Sequence, residues 1–356
     1  MSKIFAQGFS IVLCTHNGQS RLSPTLAHLA KLQIPIGHNI ELLVVNNGST
    51  DQTESFTYTI WTALGAPFPL RLLAEPRTGK GYAVERGYDA ALYSYILTVD
   101  DDNWLQADYL MEAASLLERH PDVGILQGKS IGAFETELPE WAHGLEVFFV
   151  LGSPIPETGY FPANDYHVWG AGMVIRTADW VQLRRLGFAF LTSKVPGKAA
   201  GEDHETAIAL LLLGRKIYYS DKLQYQHFMP AKRITKENLK KNFNLWSYIM
   251  HYYFLYSIII DSNKKSYRVT RAVLFRRILK RILGMISDYT LKQHLSYWVR
   301  PNQEFYQLRL YRDYNYCKWV IRLWGESLKD AIFLQSWMKN VIREEPVKFM
   351  MSDNPT

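Results

Sequence analysis

Cysteine is scarce in this chain: Cys14 and Cys317 are the only two among 356 residues. That excludes a disulfide framework and a Cys-rich zinc site, and it fits a reducing compartment. Long apolar runs are missing too. The nearest, Leu245 to Ile260, is 16 residues interrupted by Ser247, His251 and Ser257, short of the roughly 20 that a spanning helix needs. The opening Met1 to Gln7 carries no apolar signal region. There is no internal repeat, and the turn Gly79-Lys-Gly81 has neither Walker A nor G-x-G-x-x-G spacing. A disulfide scaffold, a spanning bundle and a repeat solenoid are thereby set aside.

The composition, 47% hydrophobic and 21% charged, is that of a folded globular protein. The net charge of +6 conceals an asymmetry: residues 1–235 sum to −5 and residues 236–356 to +11. The two parts therefore face different partners, and a basic part suits an anionic surface. Nucleic acid is not expected, because no recognisable binding module accompanies the charge.

Residues 1–235 alternate strand and helix patterns. Phe9–Thr15, Ile40–Val45, Leu70–Ala74, Tyr95–Val99 and Val123–Gln127 read as buried strands, with helical stretches near 21–32, 51–63, 80–93 and 106–119. Such alternation predicts an α/β fold, a Rossmann-like, mostly parallel sheet with helices on both faces. Ligands of such sheets gather at the carboxyl ends of the strands. Thr15-His-Asn-Gly18, Asn46-Asn-Gly-Ser-Thr-Asp51 and Asp100-Asp-Asp-Asn103 all fall there. From about 236 to 343 the pattern becomes long, basic and helical, and Met350 to Thr356 reads as a frayed tail.

Three consecutive carboxylates at a strand end repel one another, and a divalent cation bridging them to substrate phosphates is one way to offset that. The other reading is a solvated turn capping the next helix. Arg77 and Lys80, beside the helix start at Gly79, suit a diphosphate. Gly201-Glu-Asp-His-Glu205 opens a helix whose acidic first turn is favourable in itself, and Asp203 is also a candidate general base. His227, in Gln226-His-Phe-Met-Pro-Ala-Lys-Arg233, is either a metal ligand or a structural histidine.

In this order, over about residues 8 to 235, the motifs resemble those of the family 2 inverting glycosyltransferases of the GT-A fold, and most closely the bacterial enzymes of surface-polysaccharide assembly. Ser10–Gly18 is similar to the family's opening strand and T-x-N-G turn, and Val44–Asp51 to its V-V-D-[DN]-G-S-T-D turn. Ile96–Asp102 is similar to the strand carrying D-x-D, Trp169–Ile175 to a G-[AS]-G strand, and Gly201-Glu-Asp203 to the E-D base motif. The resemblance implies a nucleotide-diphospho-sugar donor, UDP-sugar favoured, and a glycan or lipid-linked acceptor. Thr15, Asn17 and Asn47 would line base and ribose. Asp100 would serve ribose or metal, and Asp102 with His227 would hold Mn²⁺ or Mg²⁺. Asp101 belongs to the same site in a structural role. Lys232 or Arg233 would meet the diphosphate, and Trp169, Ala171 and Gly172 would border the sugar. Asp203 would act as base, with Glu202 supporting the acceptor.

Asn46 and Asn47 depart from the family's Asp, and Ala83-Val-Glu85 departs from its A-R-N run. Gly79-Lys-Gly-Tyr-Ala83 instead resembles the G-K-G-x-A of dolichyl-phosphate-mannose-synthase-like members, which keeps a polyprenyl-phosphate acceptor open. The absence of Q-x-x-R-W argues against a processive polymerase. A non-catalytic nucleotide- or glycan-binding protein on this scaffold would be expected to have lost members of the set.

The expected division is a catalytic region, 1–235, and a basic helical region, 236–356. In the latter Leu274, Phe275, Ile278, Leu279, Ile282, Leu283 and Ile286 recur at helical spacing opposite Arg276, Arg277, Lys280 and Arg281. This is a basic amphipathic helix, either docked on its own domain or lying on an anionic membrane. The expected location is cytoplasmic, including the cytoplasmic face of the inner membrane.

Overall fold

The computed structural model describes residues 4–162, 165, 167–192, 201–265, 267–289, 293 and 305–344; the expected tail from Met350 lies outside them. The backbone divides into two compact units, one running to Ala231 and the other starting at Lys232.

The first unit is built on a mixed sheet. Its strands are β1 (Ala6–Thr15), β2 (Asn39–Asn46), β3 (Leu70–Ala74), β4 (Tyr93–Asp100), β5 (Asn103–Leu105), β6 (Val123–Phe134), β7 (Gly159–Tyr160), β8 (Val174–Arg176) and β9 (Lys216–Met229). Helices α1 (Leu22–Leu29), α2 (Thr53–Ala63), α3 (Lys80–Asp89), α4 (Tyr109–Arg119), α5 (Thr177–Arg185) and α6 (Glu202–Leu212) connect them. The spatial order is β3-β2-β1-β4-β8-β6-β9-β5, with β7 pairing β9. Pairing is parallel from β3 through β2 and β1 to β4, and again between β6 and β9, while β8 runs antiparallel to β4 and β6.

The runs Ile11–Leu13 and Leu42–Val45 are buried on both faces, as parallel strands covered by helices on each side must be. One core layer joins Phe9, Ile11 and Leu13 to Leu22, Leu26 and Leu29 of α1 and to Leu110, Ala113 and Leu117 of α4. Because β1, β2 and β4 run parallel, their carboxyl ends coincide. Cys14 stands opposite Val45 on one side and Asp100 on the other, so the polar turns after all three strands share one rim.

The apolar run Trp169–Ile175 differs from its sequence reading. Only Val174–Arg176 is strand; Gly170–Gly172 form a turn. Gly172 has φ +69°, and a side chain there would meet the Tyr109 hydroxyl at 2.7 Å and the Tyr225 ring at 2.9 Å. Glycine permits both the left-handed backbone and the close approach.

The second unit contains α7 (Lys236–Lys264), α8 (Arg271–Ser287) and α9 (Phe305–Glu344). Thr235 and Thr270 cap the first two through side-chain oxygens that accept from Asn238 N–H and Val273 N–H. The Leu245–Ile260 run lies within α7 and is a core element: Tyr248, Tyr252, Leu255, Tyr256, Ile258 and Ile259 are buried. It is tied to α9 by Trp319 Nε1–H donating to Asn244 Oδ1 at 3.0 Å and by His251 Nε2 facing Ser327 Oγ at 2.7 Å. On α8, Leu274 and Ile278 are buried, whereas Phe275, Leu279, Leu283 and Ile286 are exposed. No helix of the described residues is long and apolar enough to cross a membrane.

Candidate active site

The rim at the strand ends gathers most of the polar motifs. The three aspartates diverge there. Asp101 turns inward: it receives Thr15 Oγ1–H at 2.6 Å and a two-pronged contact from Arg21, Nε at 2.9 Å and Nη2 at 2.7 Å. Its carbonyl accepts from Thr25 Oγ1 at 2.9 Å. Bidentate Arg–carboxylate pairing of this kind fixes geometry, so Asp101 anchors α1 to the end of β4. Asp100 points to Lys80 Nζ at 2.9 Å. Asp102 points the other way, toward His227, Oδ2 to Nε2 at 3.7 Å.

His227 is positioned by β9, where it pairs with Asn103 of β5 and Gly132 of β6. The neighbouring Phe228 N–H donates to the Asp102 carbonyl at 2.9 Å. His227 Nδ1 faces the Val150 carbonyl at 3.5 Å, which leaves Nε2 toward Asp102. One carboxylate oxygen and one imidazole nitrogen at this separation fit two protein ligands of a Mn²⁺ or Mg²⁺ ion, whose remaining positions go to water and phosphate oxygens. A closed protein cage is not present: no cluster of three or more His, Cys, Asp or Glu able to hold a metal occurs among the described residues.

Lys80, in the first turn of α3, is clasped between Asp100 and Glu202, 3.0 Å from Glu202 Oε1. Burial opposes its charge, but Asp100, Glu202 and Asp203 outweigh that and hold the ammonium well above its ordinary pKa. The sequence pattern suggests a diphosphate for Lys80 and Arg77. Both are engaged by carboxylates, since Arg77 grips Glu75 through Nε and Nη2, each at 2.8 Å. The Lys80 clasp, which joins the end of β4 to the start of α6, has no signal in the sequence beyond the Gly-Lys-Gly turn.

Asn47 ties the loop after β2 to the loop between β3 and α3. Its Nδ2 donates to the carbonyls of Glu75 and Arg77 at 3.0 and 2.8 Å, and its Oδ1 accepts from Gly79 N–H at 3.1 Å. Both amide hydrogens are thereby used. Asn17, at φ +50°, accepts from Thr50 N–H at 2.8 Å and so ties the first turn to the second. Lys232 and Arg233 fall in the short 3-10 turn Ala231–Arg233 just after β9.

At the start of α6 two adjacent carboxylates are driven apart. Burial pushes Glu202 up, with Lys80 opposing. Asp203 is only partly buried; desolvation raises its carboxyl, but His204 and Lys80 outweigh that and hold it below the ordinary value. Paired carboxyls whose surroundings split them in this way can take different roles, one ionised and one retaining its proton more readily. Asp203 Oδ2 accepts from Gly170 N–H at 3.0 Å, and Oδ1 accepts from His204 N–H at 2.8 Å. Trp169 N–H donates to Gln127 Oε1 at 2.9 Å, which fixes the approach to that turn. Ala171 is buried.

The strand ends of this α/β sheet thus bring together an Asp–His pair, a Lys-bridged carboxylate pair and Asp203. Residues 10–176 match the glycosyl transferase family 2 and residues 95–298 the glycosyl transferase family group 2; the chain belongs to the family 2 glycosyltransferases.

Among characterised relatives, poly-beta-1,6-N-acetyl-D-glucosamine synthase of Staphylococcus epidermidis is 25% identical over 122 residues. That match takes in 34% of this chain and 28% of the relative, so the chain spans little more than a quarter of the curated relatives' length. Solved structures that share the fold include the following two. S. aureus TarS 1-349 in complex with UDP-GlcNAc has a TM-score of 0.51 at 17% identity, covering 95% of this chain and 92% of that one. Mannosyltransferase PcManGT from Pyrobaculum calidifontis, in complex with GDP-Man and Mn²⁺, has a TM-score of 0.51 at 13% identity, covering 98% and 91%.

Proposed function

We propose that this protein is an inverting, metal-dependent glycosyltransferase of cell-surface polysaccharide assembly. It moves a sugar from a nucleotide-diphospho-sugar, UDP-sugar favoured, to a hydroxyl of a glycan or lipid-linked acceptor. The observation that carries the reading is Asp203: an aspartate at a helix start, held ionised beside Lys80 and pinned by the Gly170 N–H. The names of the relatives support the substrate class, since one is bound to UDP-GlcNAc and another to GDP-Man.

In the proposed step the acceptor O–H bond breaks toward Asp203 as the new bond to the anomeric carbon forms. The bond from that carbon to the diphosphate breaks on the opposite side, its electron pair leaves with the diphosphate, and configuration inverts. Asp102 and His227 would hold the cation, which when bound offsets the charge of the diphosphate. Lys80 keeps Asp100 and Glu202 from repelling the anionic donor. Asp101 and Asn47 hold the loops in register.

Asp203→Asn tests the reading. Donor affinity by calorimetry should stay within about threefold, while turnover falls by about 10³, within the 10²–10⁴ that general base catalysis contributes. Wild-type turnover by the variant would remove Asp203 as the base and favour a polyprenyl-phosphate acceptor, which needs none.

A second reading concerns the second unit. Phe275, Leu279, Leu283 and Ile286 are 41–58% exposed along one stripe of α8, with exposed Arg276 and Lys280 beside it. An apolar stripe flanked by cations suits an anionic membrane surface, where a lipid-linked acceptor would lie. Flotation with phosphatidylglycerol vesicles should be lost on charging the stripe (Leu279→Glu with Leu283→Glu); a wild-type protein that stays unbound refutes it.

A further inference from the structure

We infer that His204 is a positioning residue for the base, holding Asp203 so that one lone pair, on Oδ2, is left for the acceptor proton. This rests on the reading of Asp203 as the base. His204 Nδ1 lies 2.8 Å from Asp203 Oδ1, and the His204 backbone N–H reaches the same oxygen at 2.8 Å. Gly170 N–H takes one position on Oδ2 at 3.0 Å. An ionised carboxylate offers about four acceptor positions. Three are filled, and the remaining one belongs to Oδ2, the oxygen on the side of the Gly170 turn.

A glycine stands on the open side. A Cβ added at Gly170 would sit 3.7 Å from Asp203 Oδ2 and 3.9 Å from Lys80 Nζ. The turn therefore leaves room beside both groups. His204 itself is only 8% exposed at the side chain, so its ring is held by packing. Its outer face meets the His167 ring, centroids 5.8 Å apart and nearly perpendicular. His167 Nδ1 in turn lies 2.9 Å from Asp165 Oδ1.

The ring does two things. It fixes the Asp203 torsion, since a carboxylate held on both oxygens cannot swing. It also stabilises the ionised form, because a hydrogen bond donated to a carboxylate favours the charged state. The titratable and charged groups around Asp203 are Lys80 of α3, Glu202 and His204 of α6, and the His167–Asp165 pair behind His204. In transfer, the acceptor proton lands on Oδ2 while Nδ1–H remains on Oδ1, so the donor at Nδ1 must be present throughout.

The test uses two variants of similar polarity in the full-length protein. The Asn amide places its Nδ2–H where the imidazole carries Nδ1–H; the Gln amide carries its donor one bond further out and cannot reach Oδ1. His204→Gln should lower kcat by about 30-fold with donor KM within about twofold, because a positional error of about 1 Å costs up to 10²-fold. It should also move the acid limb of the kcat profile upward by about one pH unit. His204→Asn should restore kcat to within about threefold of wild type and bring the acid limb back.

Equal kcat and equal acid limbs in His204→Gln and wild type overturn the inference, as does an Asn variant no better than the Gln one. Thermal unfolding of both variants identifies a folding defect. If Gln fails to fold, the Asn variant's acid limb decides alone: a limb shifted upward refutes the proposal. Should Asp203→Asn keep full turnover, the base reading itself fails whatever His204 does. A dead Asp203→Asn beside an unaffected His204→Gln removes only the present inference.

Discussion

Gly170→Ala separates the shape of the site from the stability of the fold. Gly170 is outside the set of positive-φ residues, so alanine is conformationally acceptable there. The added Cβ would lie 3.5 Å from Asp203 Cβ, its nearest heavy atom, followed by Asp203 Oδ2 and Lys80 Nζ. These are ordinary van der Waals separations, so nothing has to move. Gly→Ala at a compatible position stabilises by about 0.4–1 kcal/mol through the unfolded chain, and the urea midpoint should be equal or slightly raised. The methyl group, however, takes space beside the carboxylate and the ammonium. If the acceptor hydroxyl meets Asp203 there, displacing it by about 1 Å costs on the order of 10²-fold in kcat/KM for the acceptor, about 2.7 kcal/mol in the barrier. Nucleotide-release kinetics at varied acceptor, read beside the urea curve, measure both quantities. A variant that is as stable and as active as wild type would show that the reacting groups meet elsewhere.

Lys80→Met leaves Asp100 and Glu202 without their shared cation; breaking a buried pair costs about 3–5 kcal/mol, and with Lys80 26% exposed a loss of about 2–3 kcal/mol is expected by urea unfolding at pH 7.5. The deficit should shrink at pH 5, where the already raised Glu202 takes up a proton more readily; an unchanged deficit refutes the clasp. Asp102→Ala should weaken Mn²⁺ binding at least tenfold by calorimetry in the presence of nucleoside diphosphate, whereas Asp101→Asn should leave Mn²⁺ affinity within about threefold and lower stability through the lost Arg21 contact. Burial and nearby Arg281 depress His251 from 6.5 to about 4. Its folded pKa lies below the unfolded one, so its stabilising effect is complete above pH 6.5 and declines as pH falls toward 4, by about 3 kcal/mol in all. His251→Leu should therefore gain on wild type by that amount across this window; parallel stability–pH curves contradict it.

The sheet was legible because burial on both faces leaves continuous apolar runs. Leu70–Ala74 is strand at the residues expected, but as the edge strand it is only partly buried, not buried as its apolar run suggests; β1, β2 and β4 extend the expected runs by a few residues at their ends. The clustering of the motifs followed from parallel pairing, which any alternating βα pattern implies. Pairings between distant segments were not legible. Nothing local joins Lys80 to Glu202 or Arg21 to Asp101, since such ion pairs are set by tertiary approach and leave no period in the chain. In the sequence Arg21 reads only as the start of a helix, and His204 only as a spacer between acidic residues. Asn47 has a plausible part in base recognition, yet its amide hydrogens are taken up by the 75–77 carbonyls. The turn at Gly170–Gly172 reads as strand only through the resemblance of Trp169–Ile175 to the family's G-[AS]-G strand; the left-handed Gly172 makes it a turn, and strand begins at Val174.

The central claim, transfer from a nucleotide sugar with inversion by an Asp203 base, is tested most directly by the anomeric configuration of the product. The experiment incubates the full chain with Mn²⁺, an acceptor and UDP-, GDP- and dTDP-sugars, and follows the new anomeric proton by NMR as nucleoside diphosphate is released. The account predicts acceptor-dependent release from one donor class, UDP-sugars foremost, and a product of configuration opposite to the donor's. A product with the donor's configuration retained would contradict it.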